Sequence, residues 1–138
     1  MTKNVKMQNI SIEISGFVLF VLVCVAGHKA FGYNYGVIDI VITMAGTLFL
    51  LPFYAFPPIV AIFLARRFTN IISQVIITAT SVGYGVWFAY LYYDAFYVHL
   101  DPQSGLVFVF VGIYALPGLL PLWLIAFVIE RLQTKATT

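Results

Sequence analysis

Apolar residues run along this chain in long blocks, broken by short polar joints. Four blocks, at about 10 to 30, 37 to 65, 71 to 97 and 105 to 129, are each long enough to cross a bilayer. A crossing of about 30 Å of hydrocarbon takes roughly 20 apolar residues at a rise of 1.5 Å per residue. The joints run from Phe31 to Gly36, from Arg66 to Asn70 and from Val98 to Ser104. Connections this short make consecutive helices antiparallel neighbours. The pattern predicts an all-α integral membrane protein, an antiparallel bundle of four transmembrane helices.

Composition strengthens that expectation. The chain is 62% hydrophobic and 9% charged, with a mean hydropathy of +1.01, whereas a soluble domain carries roughly 25% charged residues. A small soluble domain buries about two-thirds of its unfolded surface, so the excess apolar surface is meant for lipid. No polar linker or charge run divides residues 1–138, which reads as a single transmembrane domain. Lys3 and Lys6 ahead of an apolar stretch suit a signal peptide, but the segment from Val23 to His28 offers a poor small-x-small cleavage site. The first block is read as a retained helix.

Charge gives the orientation. Six of the seven Lys and Arg residues, Lys3, Lys6, Arg66, Arg67, Arg131 and Lys135, fall on one side of the four-helix layout, and only Lys29 falls on the other. Cationic loops stay inside. Both termini are therefore expected in the cytoplasm of a multi-pass protein in a bacterial inner (cytoplasmic) membrane. The third helix then ends at the outer face in Tyr90, Tyr92, Tyr93, Phe96 and Tyr97, the usual headgroup anchors.

The second block, about 29 residues, makes a straight helix of roughly 43 Å, longer than the hydrocarbon is thick. Pro52, Pro57 and Pro58 supply a bend, because each frees the carbonyl four residues earlier, at Leu48, Phe53 and Tyr54. Pro117 and Pro121 repeat the device in the fourth helix. Helices 2 and 4 are thus expected to be proline-kinked against straighter odd-numbered ones, with freed carbonyls that need partners on neighbouring helices. Pro57 to Arg67 and Pro121 to Arg131 are both apolar stretches from a proline to a cytoplasmic arginine, a likeness that convergent composition explains as well as duplication does.

Polar residues inside the blocks are few. Gln74, Thr78, Ser81 and Gly85 recur at i, i+4, i+7 and i+11 and align on one face of helix 3. Ala79 and Gly83 add a small-x-x-x-small pair on an adjoining face. Asp39, Thr43 and Gly46 form a weaker stripe on helix 2, where Asp39 is equally a first-turn acid favoured by the helix dipole. If the two stripes meet, they make a polar seam open towards the outer face. Glu13 stands about 10 Å from the midplane. With Asn9 or Ser11 as a cap it is an ordinary first-turn acid, and otherwise it is free to take up a proton or a cation. In that acid and in the helix count the chain resembles the small multidrug transporters. The resemblance implies binding of a cationic substrate at Glu13.

Several chemistries lack their residues. Cys24 is the single cysteine, so intramolecular disulfides and cysteine-based metal motifs are excluded. His28, His99, Asp94 and Asp101 have no ligand spacing. Tyr93-Asp94 matches half of an intramembrane aspartyl protease signature without its Gly-x-Gly-Asp half, and there is no His-Glu-x-x-His, Gly-x-Ser-x-Gly or phosphate loop. No catalytic, cofactor or metal site is expected. A formal charge of +2 borne by residues that border membrane segments argues against nucleic acid.

Two functions fit. One is a non-enzymatic accessory protein that packs its helices against a partner membrane protein. Bacterial immunity proteins that block pore-forming toxins share that gross design. The other is a small homo-oligomeric transporter or channel, with Glu13, Asp39, Thr43, Gln74, Thr78, Ser81 and Gly85 along its path. Which one holds depends on whether those side chains meet water or other helices.

Overall fold

A computed structural model describes residues 2–31, 36–98 and 107–137 of the chain. Among them there is no strand, and helix accounts for nearly every residue. Four helices are long and apolar enough to cross a membrane, with spans at Val5–Ala26, Val37–Tyr54, Ile71–Tyr93 and Phe110–Ala136.

Helix α1 is Thr2–Phe31, which starts eight residues before the expected position at 10. The reason lies in its first turns. Gln8 and Ser11 are bonded to other helices, and such contacts hold the backbone helical through a stretch whose polarity reads as a cap. Asn9 and Ser11 are therefore interior helical residues, and the first turn holds no acid. The reading of Glu13 as a capped first-turn acid is corrected accordingly.

The second block divides. Helix α2 is Val37–Tyr54 and helix α3 is Phe56–Arg67, with Ala55 between them at φ −102° and ψ −1°. Pro57 and Pro58 fall in the opening turn of α3, where a missing amide hydrogen leaves no bond unmade. Pro52 stays inside α2. Helix α4 is Ile71–Tyr93, followed by a π-helical turn, Asp94–Val98. Asn70 begins α4 by accepting from the Ile72 amide at 2.8 Å, a side-chain cap for an otherwise unpaired donor. Helix α5, Val107–Ala136, runs on through Pro117 and Pro121.

Helix α4 sits at the centre and packs on α1, α3 and α5, while α2 leans on α5 and α1. Two apolar clusters form the core. One gathers Leu22, Ala26, Tyr54, Ala55, Tyr84, Phe88, Tyr92, Val111 and Leu119, and the other Ala61, Ala65, Phe68, Ile77 and Ala126. Trp123 packs against both. At the end where α3 and α5 reach their cations, Arg67 lies 4.8 Å over the Phe63 ring and Arg131 lies 5.0 Å over the Phe127 ring. Each arginine thus covers an aromatic one turn back, with its charge free to reach water.

Candidate functional site

The stripe on α4 faces inward. Gln74 is 0% exposed and Ser81 1%. Thr78 Oγ1 lies 2.6 Å from Ser11 Oγ of α1, and a Cβ added at Gly85 would stand 2.9 Å from a methyl of Val18. Both pairs are 67 residues apart, so α1 and α4 run side by side in the same direction at constant register. That register sets Ser15 beside Ser81 and Val82. Ser15 and Ser81 are both fully buried, and neither hydroxyl has a hydrogen-bond partner among the described residues. The seam is therefore a contact between helices, lined by small polar side chains that let two backbones approach closely.

A second set of polar residues faces α5. Ser73 Oγ donates to the Ala126 carbonyl at 2.9 Å, and the Trp123 indole donates to Thr80 Oγ1 at 3.2 Å. As position rises along α4 it falls along α5, so these two helices are antiparallel.

The α3–α4 turn gathers side chains from three helices. Gln8 Nε2 of α1 donates to the carbonyls of Ala65 at 3.0 Å and Arg66 at 2.8 Å. Gln74 Nε2 of α4 donates to Ala65 at 2.8 Å and also to Phe68. These acceptors are among the carbonyls that a helix end leaves without partners. From α5, the Glu130 carboxylate accepts from the Thr69 amide and hydroxyl, both at 2.9 Å, and from the Asn70 amide at 3.0 Å. A carboxylate at the start of α4 also meets the positive end of that helix. A polar recess of about 250 Å³ opens there, bounded by Thr69, Asn70, Glu130, Gln133, Thr134 and Thr137.

Of the carbonyls freed at the α2–α3 break, one finds a donor and the other lies close against α5. Pro58 cannot donate to Tyr54, and the Tyr84 hydroxyl of α4 donates to that carbonyl instead. Pro57 cannot donate to Phe53, and Gly112 of α5 lies so close that an added Cβ would stand 2.2 Å from the Phe53 oxygen. Only glycine permits that approach.

The other candidates stand apart from this seam. Asp39 occupies the first turn of α2, which begins after Gly36. At its C-terminal end α2 reaches α4, with the Tyr54 ring centroid 5.8 Å from that of Phe88. Asp39 is fifteen residues and about 22 Å of helix away from that point. The α4 stripe is thus joined to α1 and α3. The Thr43 side chain, the side chains of Lys3, His28 and Lys29, and residues His99 and Asp101 lie outside the described residues. Glu13 is exposed on α1. Among the described residues no group of three or more His, Cys, Asp or Glu side chains is placed to hold a metal ion.

Sequence reasoning missed Gln8, Ser15, Asn70, Ser73, Tyr84 and Glu130. Ser11 and Ser15 carried a readable signal, a four-residue step continued by Val18 and Leu22, the same spacing that exposed the α4 stripe.

These four apolar helices make the chain a multi-pass membrane protein. Comparison with models of known protein families, with curated proteins and with solved structures finds no match.

Proposed function

We propose that the chain is a non-enzymatic membrane protein that acts by packing its helices against another membrane protein. It is an antiparallel four-helix bundle with both termini cytoplasmic. One observation carries the reading: the polar stripe of α4 is engaged within the chain, against α1 and α3. The surface left to meet other molecules in the bilayer is almost wholly apolar, as on α2, where Val37, Ile38 and Phe49 are each at least 75% exposed. Such a surface can hold a partner helix. An accessory subunit and an immunity-type blocker of a membrane toxin both work in this way. The six cations at the cytoplasmic side and the bend at Ala55 suit the topology, since α2 and α3 together exceed one bilayer thickness.

The test is cysteine substitution at 74, 78, 81 and 85 in a Cys24→Ser background, in membranes, with Thr134→Cys as the exposed control. A small aqueous thiol reagent is expected to label the control and to spare all four seam positions. Thr78→Cys and Ser81→Cys are close in size to the native residues and carry the decision. Labelling there makes the seam a path and the chain a transporter or channel.

A further inference from the structure

Two arginines flank one corner of the bundle, where the end of α3 meets the last turns of α5. Arg67 lies over the Phe63 ring and Arg131 over the Phe127 ring, each one turn back on its own helix. The two helices are tied together at this corner. The Phe68 ring centroid stands 6.5 Å from that of Phe127, and the Glu130 carboxylate holds the Thr69 and Asn70 amides. Arg67 adjoins Phe68 in the chain and Arg131 adjoins Glu130, so both guanidinium groups belong to the same junction.

Among the described residues each guanidinium has the ring beneath it as its partner and no carboxylate. Glu130, the acid beside Arg131, already has both oxygens engaged by Thr69 and Asn70. Gln8 of α1 donates to the Arg66 carbonyl, which brings exposed Lys6 to this end together with exposed Arg66. The corner is therefore cationic without an internal counter-charge for its arginines. A guanidinium presents five N–H donors in a planar fork that matches a phosphate, and a ring on its face leaves the donors at its edge available.

The rings decide which kind of anion fits. Phe63 and Phe127 are 55% and 43% exposed, and Phe127 falls within the span Phe110–Ala136. A free anion meets the arginines and leaves these rings bare. A phospholipid meets both, with its phosphate at the level of the arginines and an acyl chain one helical turn, about 5.4 Å, deeper.

We infer that Arg67 and Arg131 hold the headgroup phosphate of an anionic phospholipid, with one of its acyl chains lying over Phe63 and Phe127. Basic sites between transmembrane helices take anionic headgroups in this way, and hydrogen bonds between charged groups are the strong ones. A headgroup with net negative charge is preferred to a zwitterionic one, because Lys6 and Arg66 repel a headgroup ammonium. The site uses the ends of α3 and α5 and none of the α1–α4 seam, so its test is separate from that of the packing reading.

The full chain in mild detergent is titrated with phosphatidylglycerol, followed by its thermal unfolding midpoint and by the mass of the chain with retained lipid. Wild type is expected to gain stability to a plateau and to retain the lipid, and phosphatidylcholine should do neither to the same degree. Arg67→Gln and Arg131→Gln should each weaken the apparent affinity about five-fold, the effect of one cation near an anionic headgroup. Both positions are exposed, and the midpoint without lipid reports that the fold is kept. Arg67→Lys and Arg131→Lys keep the charge without the planar fork and should fall between wild type and the glutamine variants. Lys6→Gln removes the same charge away from the corner and should leave the affinity close to wild type. Equal weakening by Lys6→Gln means a diffuse field and overturns the site, as does wild-type affinity in either glutamine variant. Inorganic phosphate that raises the midpoint as far as phosphatidylglycerol does makes the ligand a free anion and overturns the lipid assignment.

Discussion

Gln74 shows what one buried amide can do. Its Nε2 is the donor to two carbonyls at the end of α3, and the side chain is fully buried. Gln74→Leu keeps the volume and removes the donor, and a buried acceptor left without a partner costs about 1–3 kcal/mol. Thr78→Val removes a hydroxyl that donates to the Gln74 carbonyl of its own helix at 2.8 Å and lies 2.6 Å from Ser11 Oγ, and loss of such an interhelical pair should cost under about 1 kcal/mol. Thermal unfolding in mild detergent, compared with wild type, should rank the two in that order. Equal losses would mean that Gln74 contributes through its packing alone. The stripe that holds both residues was legible because a helical period reveals which face is buried. It does not reveal what lies against that face, so α1 was not read as the partner. Ser11 was read as a cap because it precedes the apolar run, and only the contact with Thr78 shows that the helix passes through it.

At the scale of elements, the prolines were legible and their consequence was only half so. Proline chemistry names the freed carbonyls from sequence, and the expectation that neighbouring helices cover them points to no particular residue. The structure supplies the Tyr84 hydroxyl as donor to Tyr54 and sets the backbone of Gly112 close against the Phe53 oxygen, from two different helices. The break at Ala55 is thus held from both sides, and each side has a test. Tyr84→Phe removes the donor, keeps the ring among Phe88 and Trp87, and should cost about 1–3 kcal/mol. Gly112→Ala drives a methyl into the Phe53 carbonyl and should cost a similar amount, about 1–3 kcal/mol, as overpacking. The two carbonyls are adjacent, so the double variant is expected to lose less than the sum of the single ones. A strictly additive result in detergent unfolding would show that the two helices grip the break independently. Pro117 and Pro121 lie inside α5, which continues through both as one helix.

Across the whole molecule, polar side chains that are far apart in sequence converge on one turn. Gln8, Gln74 and Glu130 arrive from three helices at the α3–α4 turn. Chain order concealed this, because Glu130 lies 60 or more residues from the amides it binds and no local pattern links them. In sequence it reads only as one charge beside Arg131. In the fold it is what fastens the last helix to the start of the central one. Glu130→Ala deprives two backbone amides of a charged acceptor, with hydrogen bonds worth about 1.5–3 kcal/mol to such groups. Glu130→Gln keeps one acceptor oxygen, loses the charge facing the α4 N-terminus, and should cost less than alanine does. The loss should also be local. Amide hydrogen exchange at Thr69 and Asn70 is expected to rise most, with the α1–α4 seam at Ser11 and Thr78 still protected. If exchange rises equally along the seam, the turn is a keystone for the whole bundle, and the molecule opens from this end as a single unit.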